Sequence, residues 1–432
     1  MKPLELSLPP ARIGKYPVVR EIGRGATSRV YLGRDSFAER DVAIKVFSPL
    51  ARQDGLAARR FKKLFLSEAS LVGRLTHPHI AAIFDAASDD ESSYIVMEYV
   101  PGGTLEPHTK VDRLLPLGKL VEIVFKCARA LDFALHNGVI HRDIKPANIL
   151  ICHDTEIKIS DFGTAWQEGI EQTTQLTGVG SPAYMSPEQI RDQPLTQQTD
   201  IYSLGVVMYQ LLTGQLPFSG SNKASLTYQV INIEPAPPSV LRPDIPPALD
   251  SIVLKAMKKS LAERFPGWPE FAMALAQTFG MVRVREDGFS DTEKFNTVKA
   301  FALFHEFDDV QIWEMLRIAS WKRVPADTVV MRENEPQGSF CFMVAGQAKV
   351  TRSDKLLHLL ESGDCFGEML YFAGNPAPRT TTIATTADSI VAEIQAESLR
   401  KATDACQVQF NKAFLRLLVA RLDQAHQRLA AS

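Results

Sequence analysis

The sequence predicts an α+β multidomain chain: a β-rich segment, a helical segment, then a second β-rich segment of barrel or jelly-roll type with flanking helices. Three observations predict it. Residues 16–100 carry Val/Ile-rich runs broken by turn signals. From 101 to 279 the apolar period becomes helical. After a charged, turn-rich stretch, "VREDGFSDTE" at 284–293, residues 322–395 return to short β-like runs punctuated by Gly338, Gly346 and Gly363. A chain of 432 residues has room for two or three domains of roughly 150 residues each.

The totals exclude several classes. Hydrophobic residues make up 45% and charged residues 23%, with a net charge of −2. That balance gives no reason to expect nucleic acid or an anionic membrane surface as a partner. Five cysteines are scattered and none forms a C-x-x-C pair. They read as buried free thiols in a reducing compartment, not as a disulfide frame or a zinc site. No apolar run approaches the roughly 18 residues of a membrane span. The start, "MKPLELSLPPARIGKYP", lacks the apolar core of a signal peptide. The chain is therefore expected to be cytoplasmic.

The elements follow in order. Residues 1–15 read as a short Pro-containing tail. "YPVVREIGRGATSRVYLGRD" is two strands around a Gly-rich turn, and "DVAIKVF" is a third strand. From 61 to 75, Phe61, Leu64, Phe65, Val72 and Leu75 form one helical stripe that also carries Glu68. An acid facing a core requires a cationic partner. Residues 119–136 place Leu120, Ile123, Val124, Cys127, Leu131 and Ala134 on one helix face, and "DIYSLGVVMYQLL" (200–212) is apolar all round, as in a buried helix. "EPAPPSVLRPDIPP" (234–247) reads as loop, and two helices follow, ending near 279. Residues 280–293 read as a linker and 294–432 as a separate domain. Within it 294–319 is a helical pattern, and 396–430 is one amphipathic helix with Phe410, Phe414, Leu417, Leu418 and Leu422 on a common face.

An ordered set of motifs carries the chemistry. "GRGATS" (23–28) is followed by "VAIK", ending at Lys45 on a strand, and by Glu68 on the inward face of a helix. "HRDIKPAN" (141–148), "DFG" (161–163), "SPE" (186–188) and "DIYSLG" (200–205) come next. Over 16–279 the chain resembles the eukaryotic-type protein kinase family, and the HRDIKPAN form resembles its serine/threonine branch. The resemblance implies a two-lobed fold, a β-rich lobe at 16–100 and an α-rich lobe at 101–279. It also implies ATP and Mg²⁺ as cofactors and Ser/Thr-bearing proteins as substrates.

Phosphoryl transfer needs charge neutralisation and in-line alignment more than covalent chemistry. By the resemblance, Lys45 holds the α- and β-phosphates, oriented by Glu68. Asn148 and Asp161 supply oxygens to Mg²⁺, Asp143 accepts the proton of the attacking hydroxyl, and Lys145 stabilises the moving phosphoryl group. Ile22, Gly23, Arg24, Gly25, Ala26, Thr27, Ser28, Arg29 and Val30 cover the nucleotide, with Ala43 beside it. Met97 is the gatekeeper, and the main chain of Glu98 and Val100 takes the adenine. Arg142 is placed to anchor a phosphorylated loop whose candidate sites are Thr173, Thr174 and Thr177. "SLAERF" (260–265) departs from the family pattern before Arg264, which is still expected to pair with Glu188.

A second constellation lies in "GDCFGEMLYFAGNPAPRTTTIAT" (363–385). Phe366, Gly367, Glu368 and Met369, then Pro378, Arg379 and Thr380, make the last segment, about 294–430, resemble the cyclic nucleotide-binding domain family. A cyclic phosphate carries one negative charge, which one guanidinium and a few backbone N–H groups can hold. The resemblance implies that Glu368 takes the ribose 2′-hydroxyl and Arg379 the phosphate. The resemblance also implies that a hydroxyl at Thr380 favours cGMP over cAMP, with Thr381 following in the same loop. The chain then reads as a kinase regulated by a cyclic-nucleotide-type sensor. Two other readings stay open. The last domain could bind no nucleotide and serve as a homodimer or partner module, or the kinase-like part could be a scaffold.

Overall fold

The structure is a computed structural model that describes residues 10–25, 28–47, 65–67, 69–88, 93–162, 182–220, 222–282, 290–335, 338–369 and 378–430. It divides into two compact units, Met1–Asp287 and Gly288–Ser432. No helix among the described residues is long and apolar enough to cross a membrane.

The first unit opens with a six-stranded antiparallel sheet in the order β1-β2-β3-β4-β6-β5. Its strands are Arg12–Ile13, Tyr16–Arg24, Ser28–Asp35, Arg40–Phe47, Ile83–Ser88 and Ser93–Glu98 (β1 to β6). β1 lies in the stretch expected to be tail and pairs Ile13 with Tyr16. Side chains alternate across a strand, and β4 shows why that matters. Val42 and Ile44 enter a core with Tyr16, Tyr31 and Val96 on one face. Ala43 and Phe47 pack on the other face with Phe65, Ala69, Ile95 and Met97. Lys45 falls on the second face by the same alternation. The expected helix is present at the described positions 65–67 and 69–72.

The rest of this unit is helical, with a short hairpin of Ile149–His153 and Glu156–Ile159 (β7, β8). The helices Leu117–His136 and Gln197–Thr213 are its buried centre. On the first, Leu120, Ile123, Val124, Cys127, Leu131 and Ala134 are all inside, as the periodicity predicts. The second is buried nearly all round. Thr196 caps its start and Gly214, at φ +75°, ends it; a Cβ there would stand 2.7 Å from a Val111 methyl. One correction applies here: a helical turn, Pro238–Leu241, interrupts the stretch expected to be loop, with Pro at the start of the turn, where the missing N–H costs nothing.

Gly288–Ser432 holds two four-stranded antiparallel sheets, in the orders β10-β15-β12-β13 and β14-β11-β16-β9. The strands are Ala319–Val324, Val329–Met331, Ser339–Ala345, Ala348–Arg352, Lys355–Leu360, Cys365–Phe366, Thr382–Thr385 and Ser389–Gln395 (β9 to β16). Met331, Cys341, Met343, Val350, Leu360, Phe366, Ile383 and Val391 fill the space between. Two helical expectations are corrected. The 294–319 pattern is two helices, Asp291–Lys299 and Asp309–Ile318, because Ser290 with Glu293 and Asp308 with Gln311 each form a capping box.

The 396–430 stretch also breaks, into Ala396–Arg400 and Asp404–Ala430. Thr403 caps the second helix by accepting from the Cys406 N–H at 3.3 Å. Glu314 fixes that cap, accepting from the Thr403 N–H and hydroxyl at 2.7 and 2.6 Å. Phe410 and Phe414 pack into a ring cluster with Phe304, Phe340 and Phe342. Leu422, expected on that face, is 56% exposed. The five cysteines are free thiols, all buried except the half-buried Cys152.

One buried ion pair ties the helical part together. Arg264 donates to both oxygens of Glu188 at 2.7 and 2.8 Å, and to the carbonyls of Lys258 and Gln198. The pairing expected from the sequence is present. Both side chains are inaccessible, so removing one partner strands the other charge. Arg264→Ala is expected to destabilise the first unit by about 3–5 kcal/mol, read as a lowered urea midpoint; a loss below about 1 kcal/mol would contradict this.

Candidate functional site

In the first unit the β2–β3 hairpin brings Ile22, Gly23, Arg24 and Gly25 over the inner face of β4. The Gly25 N–H donates to the Ser28 carbonyl at 2.8 Å, tightening the turn; Ala26 and Thr27 lie outside the described residues. Arg24 is engaged by Glu21 at 2.8 Å. Val30 sits opposite Lys45 and Ala43 opposite Met97. Ile22, Val30, Ala43 and Met97 share one apolar cluster. At the end of β6 the Glu98 N–H donates to Ala82 O at 2.8 Å and the Glu98 carboxylate meets Lys158 at 2.9 Å. Val100 is buried beside it.

The lower wall is a loop held by one acid. Asp200, near the start of the Gln197–Thr213 helix, accepts the backbone N–H groups of His141 and Arg142, both at 2.7 Å. Burial pushes its pKa up, although His141 and the two N–H groups pull the other way. Arg142 is thereby held at φ +68°, and its carbonyl accepts from Gln189 at 2.7 Å. His141, fully buried, contacts the Ser160 carbonyl at 2.9 Å and the Phe162 ring.

These contacts place the polar side chains together. Lys145 Nζ is 2.6 Å from Asp143 Oδ2. Asn148 Nδ2 donates to the Asp143 carbonyl at 2.8 Å and to its Oδ2 at 3.1 Å, so both bonds use the amide nitrogen and none the oxygen. The Ser160 N–H donates to Asn148 O at 2.9 Å, bringing Asp161 alongside. Asp161, at φ +62°, meets Lys45 Nζ at 2.8 Å. Burial pushes the Asp161 carboxyl up, but the charge and hydrogen bond of Lys45, aided by His141 and Lys145, hold it below the ordinary carboxylate range. Glu68, Thr173, Thr174 and Thr177 lie outside the described residues.

In the second unit Glu368 and Arg379 are both buried, at 1% and 5% exposed. Gly367 has φ +82°, and a Cβ there would overlap an Arg379 nitrogen, so the bend needs glycine. Arg379 Nη2 donates to the Ser339 carbonyl at 2.7 Å and its hydroxyl at 3.3 Å. Glu368 accepts from Arg421 of the Asp404–Ala430 helix, and the same guanidinium donates to Cys365 O. Burial pushes the Glu368 pKa up, against the pull of Arg421. Thr380 and Met369 are exposed and Thr381 half-buried.

Two roles escaped sequence reasoning. Asp200 opens the "DIYSLG" motif quoted above, an acid at the head of an apolar helix, but was assigned no role. Arg421 had none, because it lies 53 positions from Glu368 on an element whose packing decides which residues meet.

Comparison with known proteins places both units. Residues 16–268 match the family model described as "Protein kinase domain", and residues 321–406 match "Cyclic nucleotide-binding domain". Among curated relatives, a probable serine/threonine-protein kinase PknB of Lactococcus lactis is 36% identical over 63% of this chain and 43% of its own. The serine/threonine-protein kinase PknB of Mycobacterium leprae is 38% identical over 60% and 42%. The serine/threonine-protein kinase PrkC of Bacillus subtilis is 34% identical over 68% and 45%. The chain thus spans under half the length of these relatives. A crystal structure of Rad53 1-466 in complex with AMP-PNP is similar at a TM-score of 0.50 and 26% identity, covering 60% of this chain and 64% of that one. The chain belongs to the protein kinase family, with a cyclic nucleotide-binding-type domain following the kinase domain.

Proposed function

We propose that this chain is a serine/threonine protein kinase that transfers the ATP γ-phosphate to hydroxyls of protein substrates, and that its C-terminal domain is a cyclic-nucleotide sensor that regulates it. The convergence of Lys45, Asp161, Asn148, Asp143 and Lys145 carries the first half. Magnesium-bound ATP supplies the phosphoryl group and a neutralising cation when bound. The residues fit that group. Asp161, held ionised, and the amide oxygen of Asn148 are hard oxygen donors for Mg²⁺. Among the described residues no three or more His, Cys, Asp or Glu side chains form a metal-holding group. Mg²⁺ needs none, since it keeps water and phosphate oxygens.

Each side chain then has one task. Lys45, already beside an anion, would hold the phosphates. Asp143 would orient the acceptor hydroxyl and take its proton, and Lys145 would stay against the transferred group. Ile22, Val30, Ala43 and Met97 would enclose the base, and the main chain of Glu98 and Val100 would fix it.

The second half rests on Glu368 and Arg379 within the matched domain. Arg421 engages one oxygen of Glu368 and the other, Oε2, is buried without a hydrogen-bond partner among the described residues. A ribose hydroxyl donating there would compete with Arg421 for the carboxylate, and a weakened contact would free the Asp404–Ala430 helix to move. The ligand would thus favour one helix position by binding it better, which is the condition for any ligand to shift a conformation. The Glu368–Arg421 contact also favours a second reading, in which that pair is permanent and the domain is a nucleotide-free partner module.

Three outcomes test this. Asp143→Asn should lower phosphoryl transfer by on the order of 10²- to 10⁴-fold in a radiolabel assay with Mg²⁺, while ATP binding persists; near-normal transfer would exclude Asp143 from the chemistry. Calorimetry with cAMP, cGMP and cyclic dinucleotides should show binding that Arg379→Ala abolishes and Arg421→Gln tightens about tenfold, a change of about 1.4 kcal/mol. No binding by any of them establishes the partner-module reading. Finally, the Arg142 Nε is buried without a hydrogen-bond partner among the described residues, as an anchor for a phosphate would be. Mass spectrometry of active protein should find phosphate on Thr173, Thr174 or Thr177, and an unmodified loop in fully active enzyme would oppose this.

A further inference from the structure

The strand Lys355–Leu360 (β13) is the edge of its sheet, paired on one side with β12. Its sequence, "KLLHLL", is unusual for that place. Leu356, Leu357 and Leu359 are 61%, 47% and 46% exposed, and only Leu360 is buried in the core. The register with β12 slips at Leu357, which leaves Leu356 and Leu357 both outside. Leu359 continues an outer-face row with Lys349, Ala384 and Val329, each opposite the next across the four strands. Val329 is itself 38% exposed. The β12–β13 turn, Ser353 and Asp354, has positive φ at both positions, the tight hairpin geometry that holds the edge straight out.

An exposed, apolar edge strand is a template for another strand, and proteins normally blunt such edges with charge or cover. Here the charges stand at the two ends, with leucines between. The run Lys355-Leu-Leu-His358-Leu-Leu-Glu361 reads the same in both directions about His358, except that its ends carry opposite charges. A two-fold contact needs a surface complementary to itself. When two such strands meet antiparallel about His358, Leu357 of each falls opposite Leu359 of the other, and Lys355 of each falls beside Glu361 of the other. Both end residues are exposed.

We propose that β13 is the contact between two copies of this chain, which pair edge to edge and antiparallel so that the two four-stranded sheets run on as one. The exposed leucines supply the burial, the open backbone edge the hydrogen bonds, and the end charges the register. The pairing does not depend on nucleotide binding. A rival self-contact is the outer face of the Asp404–Ala430 helix, where Val408, Leu415, Val419 and Leu422 are more than half exposed or nearly so; it has no comparable charge pattern that reverses about its centre.

Sedimentation of the full chain over a concentration series tests the pairing. The wild type is expected to form dimers. Lys355→Glu alone and Glu361→Lys alone each place like charges at both ends and should weaken the dimer about tenfold or more. The two together restore opposite charges and should restore the dimer. Both side chains are exposed, so folding is not at risk, and kinase activity gives a folding control. A chain that stays monomeric throughout overturns the proposal. So does a dimer indifferent to these changes but dissolved by Leu415→Glu with Val419→Glu.

Discussion

The cleft of the first unit hangs on one carboxylate. Asp200 is nearly inaccessible to solvent, and burying an ionised acid is costly unless its oxygens are satisfied. Two backbone N–H groups satisfy them, those of His141 and Arg142. The exchange runs both ways. The acid is made tolerable inside an apolar helix, and the loop is held in a left-handed bend at Arg142 that a non-glycine residue seldom adopts unaided. From that bend Asp143 emerges beside Lys145 and Asn148. A helix and a loop far apart in sequence thus fix each other, and the polar cluster inherits its positions from the pair.

The second dependence is the Lys45–Asp161 contact, which joins the sheet to the helical part. Lys45 comes from the middle of a strand whose register is set on both sides, by Val30 and Ile95. A slip of one residue would send it to the opposite face, among Tyr16, Tyr31 and Val96. The apolar alternation of β4 is therefore also what aims the charge. Asp161 stays ionised because that charge outweighs its burial.

Much of this was legible in the sequence because local pattern and chemistry coincide there. The β4 strand and the apolar 200–212 helix could be read from composition and spacing, and the Glu188–Arg264 pair followed from the family resemblance. Helix ends were read less well. The stretch 396–430 looks continuous on a helical wheel, yet Thr403 stops it, since its cap depends on Glu314 from another helix. The same limit hid Arg421. Nothing in its neighbours marks it, and only the packing of Phe410 and Phe414 against Phe340 decides which turn of the helix arrives at Glu368.

That arrival gives the last domain a physical handle. Glu368 is buried, and burial alone would push it toward its neutral form. Arg421 is only partly buried, so its side of the contact gives up less solvation and more readily returns to water. The pair is asymmetric: the acid needs a partner more than the arginine does. Under the proposed function a ligand hydroxyl donated to Glu368 Oε2, buried without a hydrogen-bond partner among the described residues, would meet that need, whereas loss of Arg421 with nothing in its place strands the carboxylate. The proposed regulation would use this asymmetry: a contact that holds the helix without a ligand and weakens with one. A switch requires that combination, because an interaction too costly to break cannot respond, and one worth nothing cannot hold a state.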